Sequence, residues 1–63
     1  MTFEESFDYI RSLSSMDEES IKQVLNQRMT EPNSEYTLTD ENSGQAFQIR
    51  YTTEDGFTID AIF

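Results

Sequence analysis

At Pro32 the spacing of apolar residues changes from helical to alternating, and no single kind of secondary structure accommodates both. Ahead of it, Phe3, Phe7, Ile10 and Leu13 recur every three or four residues, as on one face of a helix. Thr2 followed by Glu5 is the pattern of a capping box at the start of that helix. Ser14 and Ser15 interrupt the stripe, and Ser15 followed by Glu18 repeats the capping pattern. A second stripe runs through Ile21, Val24, Leu25 and Met29, with Glu18 four residues ahead of Lys22 in the orientation that favours a helical ion pair. Pro32 disfavours helical geometry at Glu31, so the second helix ends near Thr30. The spacing predicts helices over about 2–14 and 15–30, joined by a short Ser-Ser link.

After Asn33 the period is two. Tyr36 and Leu38, then Phe47, Ile49 and Tyr51, then Phe57, Ile59, Ala61 and Phe63 alternate with mostly polar residues. Breaks fall at Asp40–Gly44 and Glu54–Gly56. The pattern predicts strands over about 35–39, 46–53 and 57–63, arranged as an antiparallel meander with one apolar face. The expected fold is a single α+β domain over residues 1–63, with two N-terminal helices covering one face of a three-stranded sheet in the order ααβββ.

Strand register follows from keeping the apolar residues on one face. A two-residue turn at Asp55-Gly56 mixes the faces; a three-residue loop, Glu54-Asp55-Gly56, pairs Thr53 with Phe57, Tyr51 with Ile59, Ile49 with Ala61 and Phe47 with Phe63. Gly56 then takes positive φ after a type I turn. A four-residue loop, Glu41 to Gly44, pairs Leu38 with Phe47 and Tyr36 with Ile49. On the outer face these pairings place Arg50 between Glu35 and Asp60.

Composition bears on what the fold does. Thirteen acidic residues face four basic ones, giving a net charge of -9 and a pI near 4.1. Such a chain is drawn to cations and basic protein surfaces and repelled by nucleic acids and anionic membranes. With no cysteine and no histidine, disulfides and thiolate or imidazole metal sites are excluded. A domain of this size buries only about 60% of its unfolded surface. Added burial through self-association would therefore stabilise it. No apolar run approaches the roughly 20 residues of a membrane span. The Met1–Glu5 segment lacks the basic-then-apolar pattern of a signal peptide, so the expected location is the cytoplasm.

The acids fall in runs: Glu4-Glu5, Asp17-Glu18-Glu19, Asp40-Glu41 and Glu54-Asp55. Adjacent carboxylates diverge on a helix or turn, whereas acid–base catalysis needs two that converge in a pocket. First helical turns and turn positions account for most of them. The Asp40–Gly44 loop misses calcium-loop spacing, since its glycine comes one position early and no glutamate closes the loop. No enzyme, metal or cofactor chemistry is expected. The acids instead fit a binding role in which carboxylates take the place of phosphates in a basic groove, a device common among small viral and mobile-element inhibitors of nucleic-acid enzymes. The residues expected to meet a basic protein partner are Asp17, Glu18, Glu19, Asp40, Glu41, Glu54 and Asp55. A second expectation comes from the last strand, where Ile62 is apolar on the polar face. Asp60, Ile62 and Phe63 would then form an edge for self-association, leaving the acidity to provide solubility.

Overall fold

The computed structural model describes residues 1–62. Helices α1 (Phe3–Leu13) and α2 (Glu18–Thr30) precede strands β1 (Glu35–Thr39), β2 (Ala46–Thr52) and β3 (Gly56–Ala61). The strands form one antiparallel sheet in the order β1-β2-β3. This is the expected α+β architecture. Its core is Ile10, Ile21, Leu25, Leu38, Phe47, Ile49, Phe57 and Ile59, between the helix pair and one face of the sheet. Each large apolar side chain so buried stabilises the fold by about 1.5–3 kcal/mol, which matters in a domain this small.

The first helix starts as its sequence dictates. The Glu5 amide donates to Thr2 Oγ1 at 3.2 Å and the Thr2 amide donates to Glu5 Oε1 at 2.8 Å, closing the capping box. The Thr2 amide holds the Glu5 carboxyl below its ordinary pKa. The second helix does not start at Ser15. Ser15 turns its amide and hydroxyl to Asp40, so the cap passes to Asp17 and the interhelical link is longer than expected. Ser20 Oγ donates to Asp17 Oδ1 at 2.7 Å and lowers the Asp17 pKa. Glu18 meets Arg11 of α1 at 3.1 Å instead of Lys22, whose ammonium lies 5.7 Å from the centre of the Phe7 ring.

Two stripe positions differ from expectation. Met29 is exposed, and Arg28 is buried in its stead. Arg28 Nη1 donates to Ser34 Oγ at 2.7 Å, Nη2 lies 3.2 Å from Glu31 Oε2, and the guanidinium rests 5.2 Å from the Tyr36 ring centre. Leu13, the last residue of α1, is exposed as well. Beyond Pro32, Asn33 takes φ 71° and donates to the Tyr51 carbonyl at 2.8 Å, turning the chain into the sheet.

The β1–β2 register is the expected one, with Leu38 opposite Phe47, Tyr36 opposite Ile49 and Glu35 opposite Arg50. The β2–β3 register differs. Tyr51 pairs with Phe57, Ile49 with Ile59, Phe47 with Ala61 and Thr52 with Gly56, so the loop is Thr53–Asp55. The expected Phe47–Phe63 pair involves a residue outside those described. Arg50 lies opposite Thr58, and Asp60 lies opposite Gln48, so Arg50 approaches only Glu35, at 3.9 Å. Gly56 does have positive φ, at 75°, but as the first residue of β3. The apolar faces agree in both alignments; the tilted Tyr51–Phe57 rings, 4.8 Å apart, accompany the observed one.

The outer edge of β3 is covered by a segment far away in the chain. Met1 runs beside the start of β3: the Phe57 amide donates to the Met1 carbonyl at 2.9 Å and the Met1 amine to the Phe57 carbonyl at 2.7 Å. Phe3 follows with an edge-on ring contact to Phe57 at 6.2 Å.

Candidate interaction surface

All the acidic side chains except Asp40 belong to exposed residues. The topology divides the expected contact residues between two ends of the molecule. Asp17, Glu18 and Glu19 open α2 where the α1–α2 link meets the β1–β2 loop, and Glu41 lies in that loop. Glu54 and Asp55 lie in the turn at the far end of β2, where they share a hollow with Met1 and Glu5. The two groups are separated by the length of β2, roughly 23 Å at about 3.3 Å per residue. The molecule's longest dimension is 32 Å. The expected residues thus form two acidic poles, not one patch.

Asp40 leaves the exposed set. Its carboxylate is the knot that ties the interhelical link to the β1–β2 loop, accepting from the Ser15 amide at 2.7 Å, Ser15 Oγ at 3.0 Å, the Asn42 amide at 3.1 Å and Ser43 Oγ at 2.8 Å. The Ser15 amide bond is the largest influence that takes its pKa from 3.8 to about 2, and the Ser43 hydroxyl adds to it. No sequence motif announces the link to α1, because Ser15 lies 25 residues from Asp40.

The four cations are engaged within the chain: Arg11 with Glu18, Arg28 with Glu31, Arg50 with Glu35, and Lys22 over Phe7. These pairs lie on the helix faces and β1, while Glu54 and Asp55 have no cation of the chain within 4 Å among the described residues. The exposed pairs contribute little to stability, on the order of 0–1 kcal/mol each. Their consequence is in the field, which is most negative where no cation sits.

Both sheet edges are present. Alternating hydrogen bonds in an antiparallel pair direct every second residue outward. The Asp40 amide bonds the Gln45 carbonyl, so Glu35, Thr37 and Thr39 direct their backbone groups away from β2. The Ile62 amide bonds the Ala46 carbonyl, which leaves the outward groups of β3 at Phe57, Ile59 and Ala61. Met1 covers those of Phe57, a cover that no local sequence signal predicts. Asp60 and Ile62 are exposed as expected, Ile62 at 45%; Phe63 lies outside the described residues.

Tyr36, expected in the core, is 43% exposed on the edge strand β1, with the Arg28 guanidinium of α2 over its ring. It joins Gln23, Val24, Gln27 and Arg28 around a hollow of about 270 Å³. No group of three or more potential metal ligands gathers among the described residues, and none of their helices is long and apolar enough to cross a membrane. Comparison of the chain with protein-family models, with curated proteins and with solved structures finds no match.

Proposed function

We propose that this is a non-enzymatic cytoplasmic binding protein whose acidic poles engage a basic surface on a protein partner, at a groove that otherwise takes nucleic acid. One observation carries the reading: nearly every acid is exposed, while every cation is engaged within the chain. A partner therefore meets uncompensated carboxylates at both ends. Lysines and arginines that bind phosphates are their natural counterpart, and the protein itself would avoid nucleic acid.

Charge reversal tests this. Glu54→Lys with Asp55→Lys changes the net charge from -9 to -5 and leaves the ion pairs in place. Reversal of Asp17, Glu18 and Glu19 takes it to -3 but also breaks the Arg11 contact, so the turn variant is the cleaner one. With a partner captured from native extract and purified, the turn variant should associate more slowly, with the deficit shrinking as salt rises. The wild type should also displace nucleic acid from that partner. Equal association rates at low salt would leave the acidity as a matter of solubility.

The alternative, a self-associating adaptor, draws on exposed Ile62 beside the remaining free length of β3. Ile62→Lys should then convert a concentration-dependent oligomer into a monomer without lowering the unfolding temperature, as measured by light scattering. A wild type that stays monomeric at high concentration removes this alternative.

A further inference from the structure

We infer that β1, not β3, is the edge at which a partner docks, and that it accepts an extended basic segment of that partner as a fourth strand. This rests on the acidic-surface reading and names where and how contact is made. Among the described residues, the outward backbone groups of Glu35, Thr37 and Thr39 are the longest run in the sheet without a backbone partner, since Met1 occupies the corresponding start of β3. β1 carries none of the lysines, prolines or bulges that usually protect an edge.

The second observation is the hollow beside it. Its lining comes from one face of α2 and from Tyr36 alone among strand residues, so it lies between α2 and β1 with no β2 residue in its wall. An added strand presents alternate side chains to opposite faces. Those on the helix side would enter this hollow against Val24 and the Tyr36 ring. Those on the other side would pass Glu35, whose carboxylate is half-exposed. Backbone bonds to an edge with a helix-walled pocket for alternate side chains is an established mode of peptide recognition.

Charge selects the occupant. Glu31 and Glu35 are already paired with Arg28 and Arg50, but the acidic poles flank the two ends of β1, and with the -9 net charge they favour lysine or arginine on the incoming strand. The same charge opposes a second copy of this chain. Arg28, the cation beside the hollow, has Nη1 held by Ser34 and Nη2 by Glu31, and its one unpartnered donor, Nε, is buried, so it offers little to an acidic segment.

The probe is the peptide Lys-Val-Arg-Val-Lys-Val, blocked at both ends, titrated into labelled protein and followed by amide NMR shifts. Shifts should centre on residues 35–39 and Val24. Thr37→Pro removes an outward amide and keeps the backbone bonds to β2, losing across the strands only the exposed Thr37–Gln48 side-chain bond, so folding is retained. It should weaken binding by about tenfold, the worth of one or two backbone hydrogen bonds. Gln23→Trp, filling the hollow from an exposed position, should weaken it comparably. Peptides N-methylated on alternate residues, one for each phase, should bind unequally. Equal binding of all the peptides, fading with salt and shifting Asp17–Glu19 or Glu54–Asp55, overturns the edge inference and leaves the acidic-surface reading standing. Equal binding of a Glu-Val-Glu-Val-Glu-Val peptide at β1 retains the edge and removes the charge reading. Shifts that arise with concentration of the protein alone, and vanish in Thr37→Pro, assign the edge to a second copy and overturn the partner proposed here. Absence of binding at millimolar peptide overturns the inference.

Discussion

Gly56→Val should lower the unfolding temperature more than any other single turn substitution, by roughly 10 °C or beyond. Two costs coincide there. A β-branched residue at φ 75° carries about 1–3 kcal/mol of backbone strain. In addition, a Cβ built on Gly56 would lie 2.6 Å from the Met1 carbonyl oxygen, so the backbone of the N-terminal segment must shift against β3. About 1 kcal/mol moves the midpoint of a domain this size by about 4–8 °C. Gly44→Val is the matched control: its φ of 78° imposes similar strain, but nothing lies within 4 Å of the added atom. The difference between the two midpoints measures the Met1 bridge. Hydrogen exchange at the Phe57 amide should rise in the Gly56 variant and stay slow in the control. Equal losses would mean that the bridge contributes nothing.

Asp40 should set the acid limit of the fold. Its folded pKa, about 2, lies below the ordinary 3.8, so the unfolded chain binds the proton more readily. The resulting stabilisation is complete above pH 3.8 and is lost as pH falls toward 2. Glu5 and Asp17, also lowered, act in the same direction, so the informative quantity is a comparison of wild type with variant. Asp40→Asn keeps one carbonyl oxygen, so it cannot accept from the Ser15 amide at Oδ2 and from the Asn42 amide at Oδ1 together, and it should be less stable at neutral pH with a flatter profile between pH 4 and pH 2. Chemical denaturation across that range checks both points. Parallel curves for the two proteins would show that the carboxylate charge is not what ties the loop to the interhelical link. Asp40→Ala should also loosen the start of α2, visible as faster exchange at Ile21, whose amide bonds the Asp17 carbonyl.

The helix–strand division at Pro32 was legible because apolar spacing is a local property. Register was legible only in part. Face matching distinguishes odd slips from even ones, and the observed β2–β3 alignment differs from the expected one by an even step, so every apolar residue keeps its face. Face matching cannot choose between two such alignments, and the Met1–Phe57 bridge on the outer edge of β3 joins residues 56 apart, with no pattern to announce it. Ser15 was misread for the same reason: a capping motif competes with a carboxylate that only the tertiary fold brings near. Arg28 sits on the buried stripe beside Leu25, but a charged residue enters a core only when partners such as Ser34 and Glu31 receive it. The acidic runs were visible from composition; their separation into two poles, and the withdrawal of Asp40, follow from the topology.

The Met1–Phe57 bridge also bears on the order of events during synthesis. The helices leave the ribosome first, yet Ile10, Ile21 and Leu25 find their cover only on a sheet made afterwards. The segment at Met1 must then wait for Phe57, and closing so long a loop costs entropy that local helical contacts cannot offset. A nascent chain arrested before β3 should therefore remain open to protease along its whole length, and one extended past it should become resistant in a single step.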